Sequence, residues 1–326
     1  MRRRRTAATA LAGTALAMTL AACTGTSGGA DDGGPGPTAG PTTAAPSVPA
    51  VAGVAPSQRF AVGVRELKLA RGGNRPLPTT VWYPATGTAG DAPKRSARAA
   101  DGRFPVVVFS HGLTARPADY RPLLLPWAAA GFVVVAPAYP HTSRGAPSYQ
   151  VLDVVNQPAD ASYVLDEVLR LDTRDGDPLR GHLDTDRVAA AGHSAGGVTT
   201  IGLFTVGRDE RLDAGIVLAG TALGVGTAFG GPAAPQLFVH GRADNVVSYA
   251  AGRAAYDRVP WPKAMLTLPK GDHVGALLGN DDGALDVVTG STVEFLRWTL
   301  YGDPAAKRRL PDRAARGGLA TLDDHL

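Results

Sequence analysis

Short runs of consecutive apolar residues alternate along the chain with segments in which apolar residues recur at helical spacing. The runs at 105–110 and 132–136 are continuous and rich in valine, which suits strands buried on both faces, as parallel strands are. Between them, residues 118–130 predict a helix that ends at Gly131. Strands separated by helices predict an α/β protein with a mostly parallel, doubly wound sheet and helices on both faces.

The same pattern continues on both sides of these runs. Residues 60–69 and 77–83 predict an antiparallel opening pair. The remaining predictions are strands at 187–191, 214–218, 235–239 and 264–268, and helices at 159–171, 196–206, 249–258 and 292–301. We therefore expect one globular domain over residues 58–302. The charged tail, residues 303–326, is expected to lie over the surface with at most a short helix.

The first 23 residues have the organisation of an export signal. Arginines at positions 2–5 precede a short, alanine-rich apolar run, which predicts a secretory signal peptide over residues 1–22 rather than a membrane span. The segment LAAC, ending at Cys23, resembles the lipobox of bacterial lipoproteins. This resemblance implies lipidation of Cys23 and an extracytoplasmic protein anchored to the bacterial cell membrane. The alternative is an ordinary signal peptide with an incidental cysteine.

The composition predicts a linker and bears on nucleic-acid binding, disulfides and metal sites. Beyond Cys23, the residues up to 57 are mostly Gly, Pro, Ser, Thr and Ala, which predicts a flexible linker over 23–57. Four of the 33 basic residues lie in the predicted signal peptide, so 29 basic residues face 29 acidic ones in the mature chain. A neutral chain without a basic cluster gives no indication of nucleic-acid binding. The single cysteine excludes a disulfide framework and a multi-cysteine metal site, and no other metal-ligand cluster is visible.

A candidate nucleophile lies between a predicted strand and a predicted helix. Residues 192–196 read GHSAG, a G-x-S-x-G pattern centred on Ser194. This motif needs a strand before it and a helix after it, and both are predicted here. The glycines let strand and helix approach each other, while the serine occupies a strained turn at the helix N-terminus. The alternative is a turn of small residues without chemistry.

A serine hydroxyl needs a base, and in this architecture the histidine comes last in the chain. Three histidines follow Ser194: His240, His273 and His325. His325 is next to last in a tail expected to fray. His240 ends a strand, and no acid lies between that strand and the one before it. His273 lies in a loop directly after the predicted strand at 264–268, and it is the predicted base.

Asp244 is the predicted acid because it follows the strand at 235–239, one strand–helix–strand unit before His273. Its rival Asp272 adjoins the base in sequence, and neighbouring residues rarely present their side chains to each other. Asp213 and Asp257 are expected at strand or helix ends. A structural Asx turn remains the alternative for Asp244.

Two backbone N–H groups are needed to stabilise an oxyanion. Ala195, directly after the nucleophile, should supply one. The other should come from the loop after the strand at 105–110, where Gly112 frees the backbone to turn and Leu113 is the predicted donor. His111 in this loop precedes the serine in the chain, so we interpret it as a structural residue that bonds neighbouring loops.

These residues together resemble the α/β-hydrolase superfamily. Within it, the chain is most similar to platelet-activating-factor acetylhydrolases, dienelactone-hydrolase-like proteins and cutinase-like polyester hydrolases. The stretches that carry the resemblance are VVFSHGLTAR (107–116), QPADASYVLDEVLRL (157–171), AGHSAGGV (191–198) and FVHGRADNVV (238–247), with GDH at 271–273. The resemblance implies a Ser194–Asp244–His273 triad, oxyanion donors at Leu113 and Ala195, and no organic cofactor.

The implied activity is hydrolysis of a small-molecule or polymer carboxylic ester through an acyl-enzyme. Dienelactone hydrolases proper use a cysteine nucleophile, so Ser194 argues against dienelactone cleavage. A catalytically silent binding protein, or an amidase or peptidase with the same triad, remains open. The loop at 137–156 is the main insertion near the predicted site, and its Tyr139, His141 and Tyr149 are candidates for a rim, with ordinary loop residues as the equal alternative. The oligomeric state is left open.

Overall fold

The computed structural model describes residues 55–90, 92–226, 228–279 and 283–326. The predicted signal peptide, Cys23 and all but the last three residues of the predicted linker lie outside the described residues. The strands are β1 (Ala61–Arg71), β2 (Arg75–Ala85), β3 (Lys94–Arg95), β4 (Phe104–Ser110), β5 (Val133–Pro137), β6 (Leu183–His193), β7 (Leu212–Leu218), β8 (Gln236–Gly241), β9 (Lys263–Leu268) and β10 (Thr321–His325). The α-helices are α1 (Arg121–Ala129), α2 (Gln157–Leu169), α3 (Ala195–Gly202), α4 (Tyr249–Asp257), α5 (Gly275–Leu278), α6 (Ala284–Tyr301) and α7 (Pro304–Ala314).

The strands form one sheet in the order β10-β9-β8-β7-β6-β4-β5-β2-β1-β3. The six strands from β9 to β5 in this order are parallel. The predicted opening pair, β1 and β2, is antiparallel, and β2 joins the parallel strands through antiparallel pairing with β5. The prediction of a mostly parallel α/β sheet is therefore confirmed.

Two separate apolar layers cover the faces of this sheet. Within β4, Val106 and Val108 belong to one buried cluster, whereas Val107 and Phe109 belong to the other. Side chains on a strand alternate between faces, so a continuous apolar run is what a doubly covered strand requires. The first layer includes residues of α2, α3 and α4, and the second includes residues of α1, α6 and α7.

The structure of the C-terminal segment differs from the expected surface tail. Residues 303–326 do not simply lie over the surface: they contain an 11-residue helix, α7, and an edge strand, β10, that pairs antiparallel with β9. His325, expected in a frayed tail, is a residue of β10. The β10 sequence TLDDH lacks the apolar alternation by which strands were predicted, because an edge strand with exposed faces does not need it. Within the described residues, no helix is long and apolar enough to cross a bilayer.

A buried carboxylate holds α7 against α6. The Glu294 side chain is only 4% exposed and accepts bonds from Arg309 at 2.7 and 3.0 Å. Arg297 and Arg313 are more distant, at 3.6 and 3.9 Å. Because a buried charge that loses its partner is costly, Arg309 should be the main electrostatic link between the two helices.

We expect the substitution Arg309→Ala to lower the free energy of unfolding by about 1–2 kcal/mol, since it leaves Glu294 with its two distant partners. In thermal unfolding followed by circular dichroism, this corresponds to a fall in Tm of roughly 2–6 °C. The adjacent exposed Arg308, which forms no ion pair with any residue that the structure describes, is the matched control. Equal Tm values for Arg309→Ala and Arg308→Ala would contradict this role of Arg309.

Candidate active site

The turn that carries Ser194 joins β6 to α3, as the motif predicts. Ser194 has φ 56° and ψ −119°, a strained conformation for a residue with a side chain. A Cβ atom on Gly192 would lie 2.1 Å from the carbonyl oxygen of Gly196, and one on Gly196 would lie 1.9 Å from that of Ser110. Both glycines are therefore required by backbone-to-backbone contacts, and together they present Ser194 at the carboxyl end of β6.

The structure brings the three predicted triad side chains together. His273 Nε2 lies 2.9 Å from Ser194 Oγ, and His273 Nδ1 lies 2.7 Å from Asp244 Oδ2. The rival acid Asp272 instead accepts the backbone N–H groups of Val274 and Gly275 through Oδ1, which closes its own turn. The side chains at 194, 244 and 273 thus form one hydrogen-bonded series, although they lie far apart in the sequence.

The Asp244 carboxylate is surrounded by donors. Oδ1 accepts the backbone N–H groups of Val246 and Val247, both at 2.9 Å, while Oδ2 faces His273 and, at 3.3 Å, His240 Nε2. Burial alone would raise the pKa of Asp244, but the hydrogen bonds from His240, His273 and the two amides outweigh it and hold that pKa well below its usual range. The carboxylate is therefore ionised.

His240 was considered only as a base, and the structure gives it a different place. It is buried at the end of β8, and its Nε2 lies 2.9 Å from the carbonyl oxygen of Val247 as well as near Asp244. A Cβ on Gly252 of α4 would lie 2.2 Å from His240 Nδ1, so the ring is closely packed. His240 fixes the loop that carries Asp244. The four-residue spacing from His240 to Asp244 at a strand end was the only sequence signal for this contact.

The two predicted oxyanion donors lie where β4 and β6 end. Ala195 is the first residue of α3, so its N–H has no partner within the helix. Gly112 donates its N–H to the Tyr120 hydroxyl at 3.0 Å and is thereby occupied. In the described part of the chain, the N–H of Leu113 meets no acceptor. The N–H groups of Leu113 and Ala195 thus have no acceptor in the described residues, as the prediction of two oxyanion donors requires.

His111 lies in the loop at residues 111–116, which we call the oxyanion loop after its predicted role, and connects it to the loop after β5. Its Nδ1 donates to the carbonyl oxygen of Gly112 at 2.8 Å, and its Nε2 accepts the Tyr139 N–H at 3.1 Å and lies 2.9 Å from Ser143 Oγ. Burial lowers the pKa of His111 to about 4, so the ring is neutral at neutral pH. These contacts agree with a structural interpretation of His111.

Two residues beside the triad were not singled out from the sequence. His193 Nδ1 lies 2.7 Å from the Tyr120 hydroxyl, and His193 Nε2 lies 2.8 Å from the carbonyl oxygen of His273. Burial, followed by the nearby His273, lowers the pKa of His193 to about 3. His193 is part of the GHSAG motif, but the pattern gives no indication of which groups its ring would contact.

The loop after β5 differs in part from expectation. Tyr139 is fully buried and its hydroxyl lies 2.8 Å from Ser110 Oγ, so it supports the end of β4 and does not line a rim. His141 is half-buried and Tyr149 is exposed. A cleft of about 520 Å³ lies between this loop, residues 116–118 and the start of β2, and the triad does not line it.

Comparisons with known proteins agree with this architecture. The family model described as Chlorophyllase matches residues 95–226, a span that includes Ser194 and ends before Asp244. The chain is also similar to a platelet-activating factor acetylhydrolase of Cavia porcellus, at 27% identity over 153 residues. That match covers 36% of this chain and 35% of the relative, so the chain matches about a third of the length of that protein. The sheet order, the strand–serine–helix turn and these similarities are together consistent with an α/β-hydrolase fold.

Proposed function

We propose that this chain is a serine hydrolase that cleaves carboxylic esters through a covalent acyl-enzyme. The observation that carries the proposal is the continuous series of contacts from Ser194 Oγ to His273 at 2.9 Å and from His273 to Asp244 at 2.7 Å. A nucleophile in contact with a base, itself oriented by an ionised acid, is the arrangement that activates a serine hydroxyl.

In the first half of the reaction, His273 Nε2 takes the proton of Ser194 as Oγ attacks the ester carbonyl carbon. Asp244 holds Nδ1–H in place, which fixes the required tautomer and stabilises the imidazolium. The carbonyl oxygen becomes an oxyanion that accepts the N–H groups of Leu113 and Ala195. His273 then gives its proton to the departing alkoxide, and Ser194 is left acylated.

In the second half, water replaces the alcohol. His273 takes a proton from the water as its oxygen attacks the acyl carbon, and the same two N–H groups stabilise the second oxyanion. Collapse of this intermediate returns the proton to Ser194 Oγ and releases the carboxylic acid. The ester, one water molecule and the residues of the chain balance these steps.

The similarities support an ester as the substrate. Both matched names, Chlorophyllase and platelet-activating factor acetylhydrolase, are those of hydrolases, and the second name denotes removal of an acetyl group. We propose short acyl esters or exposed polymer esters as substrates. A panel of p-nitrophenyl esters of increasing chain length tests this, and turnover that rises steadily with chain length would contradict it.

We further propose that the enzyme acts outside the cytoplasm, tethered through a lipid on Cys23. The lipobox-like LAAC segment carries this part of the proposal. Metabolic labelling with an alkyne fatty acid in a bacterial host should mark the full chain but not a Cys23→Ala variant. Equal labelling of both proteins would overturn the anchor and leave the proposed chemistry unaffected.

We expect Ser194→Ala to abolish covalent labelling by a fluorophosphonate probe and to reduce p-nitrophenyl ester turnover to background, since the reacting oxygen is gone. The exposed Ser57→Ala is the matched control and should label like the unmodified chain. A chain that neither labels nor turns over esters would be a silent binding protein. Faster turnover of matched anilides than of esters would indicate an amidase instead.

We expect Asp244→Asn to lower kcat about 10³- to 10⁴-fold with little change in KM, because the amide no longer stabilises an imidazolium at His273. Asp272→Asn is the control, since an amide oxygen can still accept the two N–H groups that Asp272 accepts. Steady-state kinetics on one short ester measures both variants. A larger loss of kcat for Asp272→Asn than for Asp244→Asn would show that Asp244 is not the acid.

A further inference from the structure

Tyr120 and His193 form a bridge between the loops that carry the base and the oxyanion donor. The series runs from Gly112 N to Tyr120 Oη at 3.0 Å, from Oη to His193 Nδ1 at 2.7 Å, and from His193 Nε2 to the carbonyl oxygen of His273 at 2.8 Å. We call these four residues the buried bridge. Its two ends are backbone groups of the oxyanion loop and of the base itself, and His193 directly precedes Ser194.

The direction of every hydrogen bond in the bridge is fixed by its ends. The Gly112 N–H can only donate, so the Tyr120 hydroxyl accepts this bond, and the hydroxyl in turn donates its O–H to His193 Nδ1. The His273 carbonyl can only accept, so His193 Nε2 carries the ring proton. One neutral tautomer of His193 satisfies both requirements, and the depressed pKa of this ring agrees with a neutral imidazole.

The bridge has little room to move. A Cβ on Gly112 would lie 3.1 Å from both His193 Nδ1 and Tyr120 Oη, and 3.2 Å from Ser194 Cβ. The Tyr120 ring packs on Phe109 at 4.8 Å between centroids, and the His193 ring packs on that of His273 at 4.7 Å. Close packing on both rings means that a displaced bridge would displace the catalytic groups bonded to it.

We propose that Tyr120 and His193 are positioning residues. They fix the positions of the base His273 and of the oxyanion donor Leu113 relative to Ser194. The inference rests on the proposed ester hydrolysis. Tyr120 also occupies the Gly112 N–H, which leaves the next N–H, that of Leu113, to face the developing oxyanion. The bridge thus acts on kcat, because the geometry it fixes matters most in the transition state.

The two bonds of His193 can be removed separately. His193→Gln keeps a donor near the Nε2 position and loses the acceptor for Tyr120, whereas His193→Asn keeps an acceptor near Nδ1 and loses the donor to His273. His193→Leu removes both bonds, and Tyr120→Phe removes the hydroxyl alone. Tyr301→Phe is the matched control, since it deletes a buried tyrosine hydroxyl bonded to Gly131, at the opposite edge of the parallel strands.

We expect Tyr120→Phe and His193→Leu to lower kcat for a short p-nitrophenyl ester about 10- to 100-fold, with KM changed less than about threefold. Each His193 amide variant should recover part of the loss of His193→Leu. The double variant Tyr120→Phe/His193→Leu should be no slower than His193→Leu alone, because both act through one series of bonds. Tyr301→Phe should lower the Tm by a similar amount and leave kcat within twofold.

The experiment separates this inference from the proposed function. If the unmodified chain fails to react with a fluorophosphonate, this result contradicts the proposed function itself. If the unmodified chain reacts and Tyr120→Phe reacts at the same rate with unchanged kcat, the bridge is structural only and the inference is overturned. If Tyr120→Phe does not fold, the His193→Gln and His193→Asn variants test the inference instead. The inference would then be overturned if both variants had the same kcat as the unmodified chain.

Discussion

The contact between the first turn of α3 and the end of β4 is the constraint on which the site depends. A Cβ on Gly196 would meet the Ser110 carbonyl oxygen at 1.9 Å, so helix and strand approach at a distance that only glycine permits. This approach brings the oxyanion loop, which begins directly after Ser110, against the turn that carries Ser194. The strained backbone of Ser194 persists because packing on both sides of the turn holds it.

The loops that carry Asp244 and His273 meet through the same kind of glycine contact. A Cβ on Gly241 would lie 2.0 Å from the Gly271 carbonyl oxygen, and the Ala243 N–H donates to that oxygen at 3.0 Å. The loop after β8 and the loop after β9 are therefore joined backbone to backbone, independently of the His273–Asp244 bond. The loops after the parallel strands β4, β6, β8 and β9 lie at one edge of the sheet, and two glycine contacts bring these loops together in pairs.

Much of the fold followed from local signals, because buried parallel strands are apolar throughout and glycines interrupt the pattern at their ends. The three triad residues could be proposed from the sequence for the same reason, because each lies in a loop that follows a recognisable strand. The strand β10 could not be predicted, since an exposed edge strand carries no apolar pattern. The contacts of Tyr120 and His193 could not be predicted either, because they join residues through tertiary packing that no sequence spacing encodes.

The histidines around the site differ in their burial and in the hydrogen bonds that their ring nitrogens make. His111 and His193 are fully enclosed and bonded in ways that need a neutral imidazole, and burial opposes protonation of both. The ring of His273 lies between an ionised carboxylate and the serine hydroxyl, and its side chain is 11% exposed. In the proposed reaction, the neighbouring ring of His193 cannot take a proton from His273, because it already donates its only proton to the His273 carbonyl oxygen and offers its other nitrogen to Tyr120.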